Sequence, residues 1–136
     1  MTITFRNLLA AAAVAGALIA GAAGTAAPAA AKCGPGPSCW GSAVTNPNTG
    51  AYGWAYNYVS GRAANNAAQS KCTGYCKVYV IFKNGCGAIA VGNNGVYGWA
   101  INKSKKGAKY YAIRNCSKYG FNCKLRVYSC TSYSRS

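Results

Sequence analysis

The side chains that carry most enzymatic acid–base chemistry are missing from this sequence. Its 136 residues include 15 lysines and arginines but no aspartate, glutamate or histidine. General acid–base catalysis normally uses those residue types, and serine–histidine–aspartate triads and the carboxylate pairs of glycosidases require them. A serine–lysine pair is the remaining option, but the neighbours Ser104 and Lys105 do not face each other on a helix. The sequence therefore predicts a protein that is not an enzyme.

The eight cysteines are the only candidate metal ligands in the sequence. Zinc would need four reduced thiolates, and the spacer between Cys116 and Cys123 is longer than zinc sites usually have. An even number of cysteines in a small exported domain is typical of disulfides instead. We therefore predict a disulfide framework, with no metal and no small-molecule cofactor.

Binding is the chemistry that the remaining residues support, and the first candidate site is a basic cluster in the second half of the chain. Nine basic residues follow position 87, against five between positions 32 and 86. Lysine at the start of a helix opposes the helix dipole, so a stabilising role does not explain the lysines at 103–109. The candidate polyanion-binding residues are Lys103, Lys105, Lys106, Lys109, Arg114, Lys118, Lys124 and Arg126.

The second candidate site is an aromatic motif that occurs twice, as NTGAYGWAYN at 48–57 and as NNGVYGWAIN at 93–102. In a strand, the Tyr and Trp side chains of each motif lie on one side, and the intervening Gly and Ala lie on the other. Exposed rings would stack on sugars or bases. Buried rings would instead pack against small residues of the helices, and the pattern favours this burial. The candidate stacking residues are Tyr52, Trp54, Tyr97 and Trp99.

The two motifs belong to a longer internal repeat, and each copy is predicted to form a strand, a second strand, a helix and a third strand. Asn and Gly between the first two strands supply the positive-φ positions of a tight turn. Ser60 and Ser104 are predicted N-caps of helices over 60–72 and 104–116. The aligned pairs are Cys39 with Cys86, Ala43 with Ala90, Trp54 with Trp99, Cys72 with Cys116 and Cys76 with Cys123.

Small residues give each predicted helix a narrow packing face. Spacing of i, i+4 places Ala64 with Ala68, and Ala108 with Ala112. In the final strands, alternation predicts inward-facing side chains at Val78, Val80, Leu125 and Val127. The predicted fold class is α+β: a single small disulfide-rich domain of two tandem β-β-α-β repeats, with helices packed on antiparallel sheet.

The N-terminal segment, residues 1–31, is predicted to be a secretory signal peptide that is removed. It has a charged start with Arg6, an Ala-rich apolar stretch, and small-residue cleavage sites at Ala29 and Ala31. We therefore expect the mature protein to be secreted and extracellular. The predicted parts that follow are an N-terminal disulfide-closed loop at 32–38, repeat one at 39–85, repeat two at 86–130 and a tail at 131–136.

The order of these motifs resembles that of a bacterial secreted family called domain of unknown function 4189. The resemblance runs from Trp40 to Cys130 and is most specific in NGCGAIAV at 84–91 and in the repeated Tyr-Gly-Trp. The family has no assigned catalytic residues, so the resemblance implies none here. Together with the duplication, it implies the disulfides Cys72–Cys76, Cys116–Cys123 and Cys86–Cys130, with Cys33–Cys39 as an additional pair.

These observations predict a secreted, non-enzymatic cationic protein that binds anionic surfaces or polymers. The expected partners are an anionic membrane or cell-wall polymers, in an antimicrobial or host-directed role, and nucleic acid would be bound nonspecifically. The alternative is a specific extracellular binding module for a glycan or a protein partner, with the charge as an accessory. The sequence leaves the physiological target and the oligomeric state open.

Overall fold

The structure of the chain is a computed structural model that describes residue 33 and residues 38–134. The predicted signal peptide 1–31, most of the predicted loop 32–38 and the last two residues of the tail lie outside the described residues. Within them, the chain follows the predicted β-β-α-β order twice. Its elements are β1 (Trp40–Thr45), β2 (Tyr52–Tyr58), α1 (Gly61–Ser70), β3 (Val78–Lys83), β4 (Cys86–Val91), β5 (Tyr97–Asn102), α2 (Lys105–Cys116) and β6 (Lys124–Cys130).

The strands form two three-stranded antiparallel sheets, one for each repeat. In the first sheet β1 lies between β2 and β3, and in the second β4 lies between β5 and β6. The predicted α+β fold is confirmed, and each repeat builds a sheet of its own.

The two sheets stack face to face. Ala43, Val78 and Val80 of the first sheet form one buried cluster with Ile89 and Val127 of the second. Every residue of β4 is buried, because one face of this central strand meets the other sheet and the opposite face meets α2. The layers therefore run α1, first sheet, second sheet, α2.

Each helix covers the outer face of its own sheet through the predicted alanines. Ala64 and Ala68 of α1 are fully buried, as are Ala108 and Ala112 of α2. Burial of such small side chains brings the helix axis close to the sheet, which large residues on the helix would prevent. The predicted small-residue faces are therefore the helix–sheet contacts.

Both predicted helix N-caps are formed. The Ser60 hydroxyl accepts a hydrogen bond from the Ala63 amide at 3.2 Å, and the Ser104 hydroxyl accepts one from the Gly107 amide at 3.0 Å. Each cap satisfies a backbone donor that the first turn of a helix leaves without a partner. The helices accordingly begin at the residues after the two serines.

The tight turn predicted between β4 and β5 is also present, as a short 3-10 turn over Asn93–Gly95. Asn94 and Gly95 have φ values of 58° and 72°. Asn and Gly are the residues that adopt this left-handed conformation most readily, which is why their pattern predicted the turn.

The glycine of the repeated Tyr-Gly-Trp motif lies at a close contact between helix and strand in both repeats. A Cβ on Gly53 would lie 2.1 Å from the carbonyl oxygen of Ala68, and a Cβ on Gly98 would lie 2.1 Å from the backbone nitrogen of Cys116. The backbones of helix and strand are therefore in direct contact in both repeats. Only glycine fits at such an approach.

The prediction that the aromatic rings pack against the helices is wrong. Tyr52 and Trp54 are 45% and 41% exposed, and Tyr97 and Trp99 are 43% and 49% exposed. The helix side of each strand has room for Gly and Ala alone, so the alternation of the strand sends the rings to the opposite side. There they lie at the edge of the sheet, half in water.

The predicted alignment of the first strands is wrong by one residue. Trp54 pairs with Ala43, whereas the equivalent Trp99 pairs with Ile89. Ala43 therefore corresponds to Ile89 between the sheets, and not to Ala90, which packs under α2. Two adjacent small apolar residues in each strand made both alignments plausible from the letters alone.

All four predicted disulfides are present: Cys33–Cys39, Cys72–Cys76, Cys86–Cys130 and Cys116–Cys123. Two of them close the loop between the helix and the last strand of each repeat, and the third joins paired residues of β4 and β6. Each bridge contributes about 2–4 kcal/mol in a small domain. Four such bonds indicate that the protein folds in an oxidising compartment.

The contact at the repeated glycine leads to a stability prediction. Gly98→Ala should lower the free energy of unfolding of the oxidised protein by about 3 kcal/mol, the upper end of the usual cost of overpacking, because backbone atoms cannot rotate away from the new methyl group. Gly74→Ala is the control, since its Cβ would meet nothing within 4 Å and only its φ of 78° opposes the change. That backbone penalty is about 1–2 kcal/mol. Denaturant unfolding that ranks Gly98→Ala as no worse than Gly74→Ala would contradict the close contact.

Candidate functional site

A groove between the edge strands β2 and β6 brings the two sets of candidate binding residues together. It has a volume of about 550 Å³. One wall carries the exposed rings of repeat one, and the other carries basic and aromatic side chains of repeat two. This surface, here called the β2–β6 groove, is lined by Tyr52, Trp54, Tyr56, Lys105, Arg126 and Tyr128.

The stacking of the sheets places these strands side by side. β2 is an edge of the first sheet and β6 is an edge of the second. The buried Ser129 hydroxyl of β6 donates a hydrogen bond to the Ala55 carbonyl of β2 at 3.0 Å. Because this bond fixes the two edges to each other, the groove is part of the folded scaffold and contains residues of both repeats.

A β-bulge positions Arg126. Ile89 pairs with Val127 but the next residue, Ala90, pairs with Leu125, so Arg126 is an extra residue in β6. The side chains of Leu125 and Val127, predicted to point inward by alternation, both pack against apolar clusters, but the bulge directs them to opposite faces of the sheet. Val127 packs between the sheets and Leu125 packs against the cluster under α2. The extra residue, Arg126, remains exposed in the groove.

Lysine ammonium groups lie over two of the rings around this groove. The Lys109 Nζ is 4.0 Å from the centre of the Tyr128 ring, and the Lys71 Nζ is 5.4 Å from that of Trp54. Tyr52 in turn stacks on Trp54, with ring centroids 6.1 Å apart. Cation–π contacts of this kind orient the rings and keep positive charge next to them.

Lys71 is a residue of the site that the sequence prediction missed. Its Nζ also donates a hydrogen bond to the Trp54 carbonyl at 2.9 Å. In the second repeat, the equivalent Asn115 donates to the Trp99 carbonyl at the same distance. A side chain at this position thus covers a backbone acceptor on an edge strand in both repeats. The sequence signal that could have identified Lys71 is its position directly before Cys72, which matches that of Asn115 before Cys116.

The structure does not bring all eight predicted basic residues to one place. Three of them, Lys105, Lys109 and Arg126, lie at the β2–β6 groove. Lys124 lies beyond Arg126, in a polar depression of about 700 Å³ between the β1–β2 and β4–β5 turns. The remaining four are exposed or line another surface: Lys103, Lys106, Arg114 and Lys118.

A second groove follows β5, and it is less basic. It has a volume of about 940 Å³. Lys118 is the one cationic side chain among its described lining residues. This surface, here called the β5 groove, is lined mainly by Tyr97, Trp99, Ile101, Tyr111, Lys118 and Tyr119.

Neither groove contains an acidic side chain that would neutralise its cations, because the sequence has none. The positive potential of the β2–β6 groove is therefore reduced only by solvent and counterions. In the described part of the chain there is no cluster of side chains suited to hold a metal ion. Nor is any helix within residues 38–134 long and apolar enough to cross a membrane.

Residues 40–130 match the protein family described as "Domain of unknown function (DUF4189)". Among solved structures, the chain is similar to "NMR structure of Rv1813c from Mycobacterium tuberculosis". The two sequences are 22% identical, the match covers 94% of this chain and 99% of that one, and the TM-score is 0.52. Identity at this level shows a shared fold and nothing about a shared ligand. The sequence has no match among curated proteins.

The position of Lys71 over Trp54 leads to a spectroscopic prediction. The cation concentrates anions near the ring, so in a protein whose only tryptophan is Trp54 (Trp40→Phe with Trp99→Phe), Lys71→Gln should reduce iodide quenching of the fluorescence roughly twofold at low salt. Quenching by neutral acrylamide should not change. The control Arg114→Gln removes the same charge from the exposed surface of α2. An equal loss of iodide quenching in both variants would show that net charge alone, and not the Lys71 contact, is responsible.

Proposed function

The chain belongs to the DUF4189 family, and we propose that it is a secreted, non-enzymatic protein that binds anionic polymers and anionic surfaces through the β2–β6 groove. One observation carries the proposal: half-exposed rings of repeat one lie beside cations of repeat two that no acidic side chain neutralises. Surfaces that bind anionic chains of sugars or nucleotides combine exposed aromatic rings with cationic side chains in this way.

The shape of the basic surface favours an elongated ligand. Lys109 lies over Tyr128 at one end, Arg126 stands in the middle, and Lys124 follows in the adjoining depression. Because a strand rises about 3.3 Å per residue, the stretch from Tyr128 to Lys124 is roughly 13 Å long. An extended polyanion lying along β6 would meet several cations in succession.

The two kinds of side chain would contribute differently to binding. Lys105 and Arg126 would neutralise anionic groups and release counterions, which gives affinity that falls steeply with salt. The planar guanidinium of Arg126 would bind a phosphate, sulfate or carboxylate with two hydrogen bonds. Stacking on Trp54 would add about 1–3 kcal/mol per ring and depends less on salt.

The composition and the disulfides support the rest of the proposal. A chain without Asp, Glu or His lacks the side chains that most often carry general acid–base catalysis near neutral pH. Disulfides persist outside the cytoplasm, where cell envelopes and their anionic polymers are the abundant polyanions. Accumulation on the envelopes of competing cells or of a host would follow from such binding.

The alternative function is a specific extracellular binding module for a glycan or a protein, and the β5 groove favours it. This groove is larger than the β2–β6 groove, mainly aromatic, and has a single lysine. Stacking of Trp99, Tyr111 and Tyr119 on a neutral sugar would not need the charge. Such a ligand would stay bound at physiological salt, whereas general polyanions would not.

The proposed function predicts a salt-dependent loss of binding that is localised to the groove. Binding of the oxidised protein to a short DNA duplex should weaken log-linearly with salt, and Lys105→Gln with Arg126→Gln should reduce the slope by about two. The control, Arg62→Gln with Lys83→Gln, removes the same charge from exposed positions outside the groove and should reduce the slope much less.

The same titration is best repeated with anionic liposomes and cell-wall fractions. A general polyanion-binding surface predicts that the protein binds all three probes at low salt. The variant Lys105→Gln with Arg126→Gln should then lose the same amount of salt slope with each probe. Retention of none at low salt would falsify the proposal. A single partner kept at physiological salt by both double variants would favour the specific module instead.

A further inference from the structure

The three most exposed large apolar or aromatic side chains among the described residues lie in loops that disulfides close. Tyr75 is 77% exposed, in the loop closed by Cys72–Cys76. Tyr119 and Phe121 are 75% and 83% exposed, in the loop closed by Cys116–Cys123. No other large apolar or aromatic side chain within residues 38–134 is more than 57% exposed. These three residues are called the aromatic tips below.

Both loops lie at the same end of the protein. The Asn46 side chain donates a hydrogen bond to the Tyr75 carbonyl at 3.1 Å, which holds the first loop against the β1–β2 turn. The backbone N–H of Asn93 donates a hydrogen bond to the Phe121 carbonyl at 3.0 Å, which holds the second loop against the β4–β5 turn. The two turns line one shared depression, so the aromatic tips project from a common surface.

The loops are braced while their rings are left in water. A disulfide closes each loop, and a hydrogen bond to a loop carbonyl holds it against its turn, yet the rings themselves have little packing. Single exposed apolar residues are common on protein surfaces. Rings at the equivalent loops of both repeats are harder to explain by chance, and clustered exposed rings mark interaction surfaces.

A lysine adjoins each part of this surface. Lys77 follows Cys76, Lys118 precedes Tyr119, and Lys124 follows Cys123, and all three lysines are exposed. The sequence contains no acidic residue that would repel an anionic surface. Aromatic rings among lysines are the composition that proteins use at the boundary between membrane and water, where rings enter the interface and cations contact anionic headgroups.

We propose that this end of the protein docks on lipid bilayers that contain anionic lipids. The aromatic tips enter the headgroup region, and Lys77, Lys118 and Lys124 contact the headgroups. The loops are short, so the protein binds peripherally, at the depth reached by interfacial side chains. The inference rests on the proposed attraction to anionic surfaces, but it names the bilayer as one of them and assigns it to the end of the protein formed by the two loops, where Lys124 adjoins the β2–β6 groove.

The test uses the oxidised protein and vesicles of phosphatidylcholine with or without phosphatidylglycerol. The wild type should be retained by the anionic vesicles and not by the neutral ones. Tyr119→Ser with Phe121→Ser keeps the net charge and should weaken partitioning onto anionic vesicles at least about tenfold, because the apolar area that enters the interface is lost. Its binding to a short DNA duplex should equal that of the wild type.

The matched control is Tyr110→Ser with Tyr133→Ser, which removes two exposed rings outside these loops. It should bind anionic vesicles within about twofold of the wild type. Equal vesicle binding by Tyr119→Ser with Phe121→Ser and by the wild type would overturn the docking proposal, as would a wild type that binds DNA but not anionic vesicles. A wild type that binds neither probe at low salt would overturn the proposed function as well.

Discussion

Direct contact between a helix backbone and a strand backbone, at Gly53 and again at Gly98, determines where the functional groups of this protein lie. Because the helix occupies one side of each edge strand at this distance, that side accepts only Gly and Ala. The aromatic residues of the same strand must then take the other side, where the stacked sheets leave them half-exposed. The rings that β2 and β5 contribute to the two grooves are thus exposed as a consequence of helix packing.

The lack of acidic residues is the second constraint, and it shapes both stability and recognition. With no carboxylate side chain, the surface cations cannot form ordinary ion pairs, and Lys71, Lys83 and Lys109 lie over aromatic rings instead. The domain is held by an apolar interior between two sheets and by four disulfides rather than by charge pairs. Repulsion among the cations is thereby tolerated, and the charge is available for an external partner.

Local features could be predicted from the sequence because each depends on residues close together in the chain. The order of elements, the caps at Ser60 and Ser104, the turn at Asn94 and the disulfides that close the two helix–strand loops are of this kind. The disulfide between Cys86 and Cys130 joins residues 44 positions apart and followed from the resemblance to the family. The side taken by the rings was predicted wrongly, because it depends on how closely each helix approaches its sheet. The bulge at Arg126 depends on how β6 pairs with the distant strand β4, and the meeting of Trp54 with Lys105 depends on the stacking of two sheets from different repeats. No local pattern records either.

The most direct test of the central claim is a nuclear magnetic resonance titration of the oxidised protein with a short anionic oligomer at low salt. If rings of one repeat and cations of the other form a single site, the signals of the Trp54 indole and the Arg126 guanidinium should shift together and saturate at the same ligand concentration. Trp40, which lies outside the β2–β6 groove, should shift little. Shifts of similar size at basic residues on every face, without a response at Trp54, would contradict a defined site and leave only diffuse attraction.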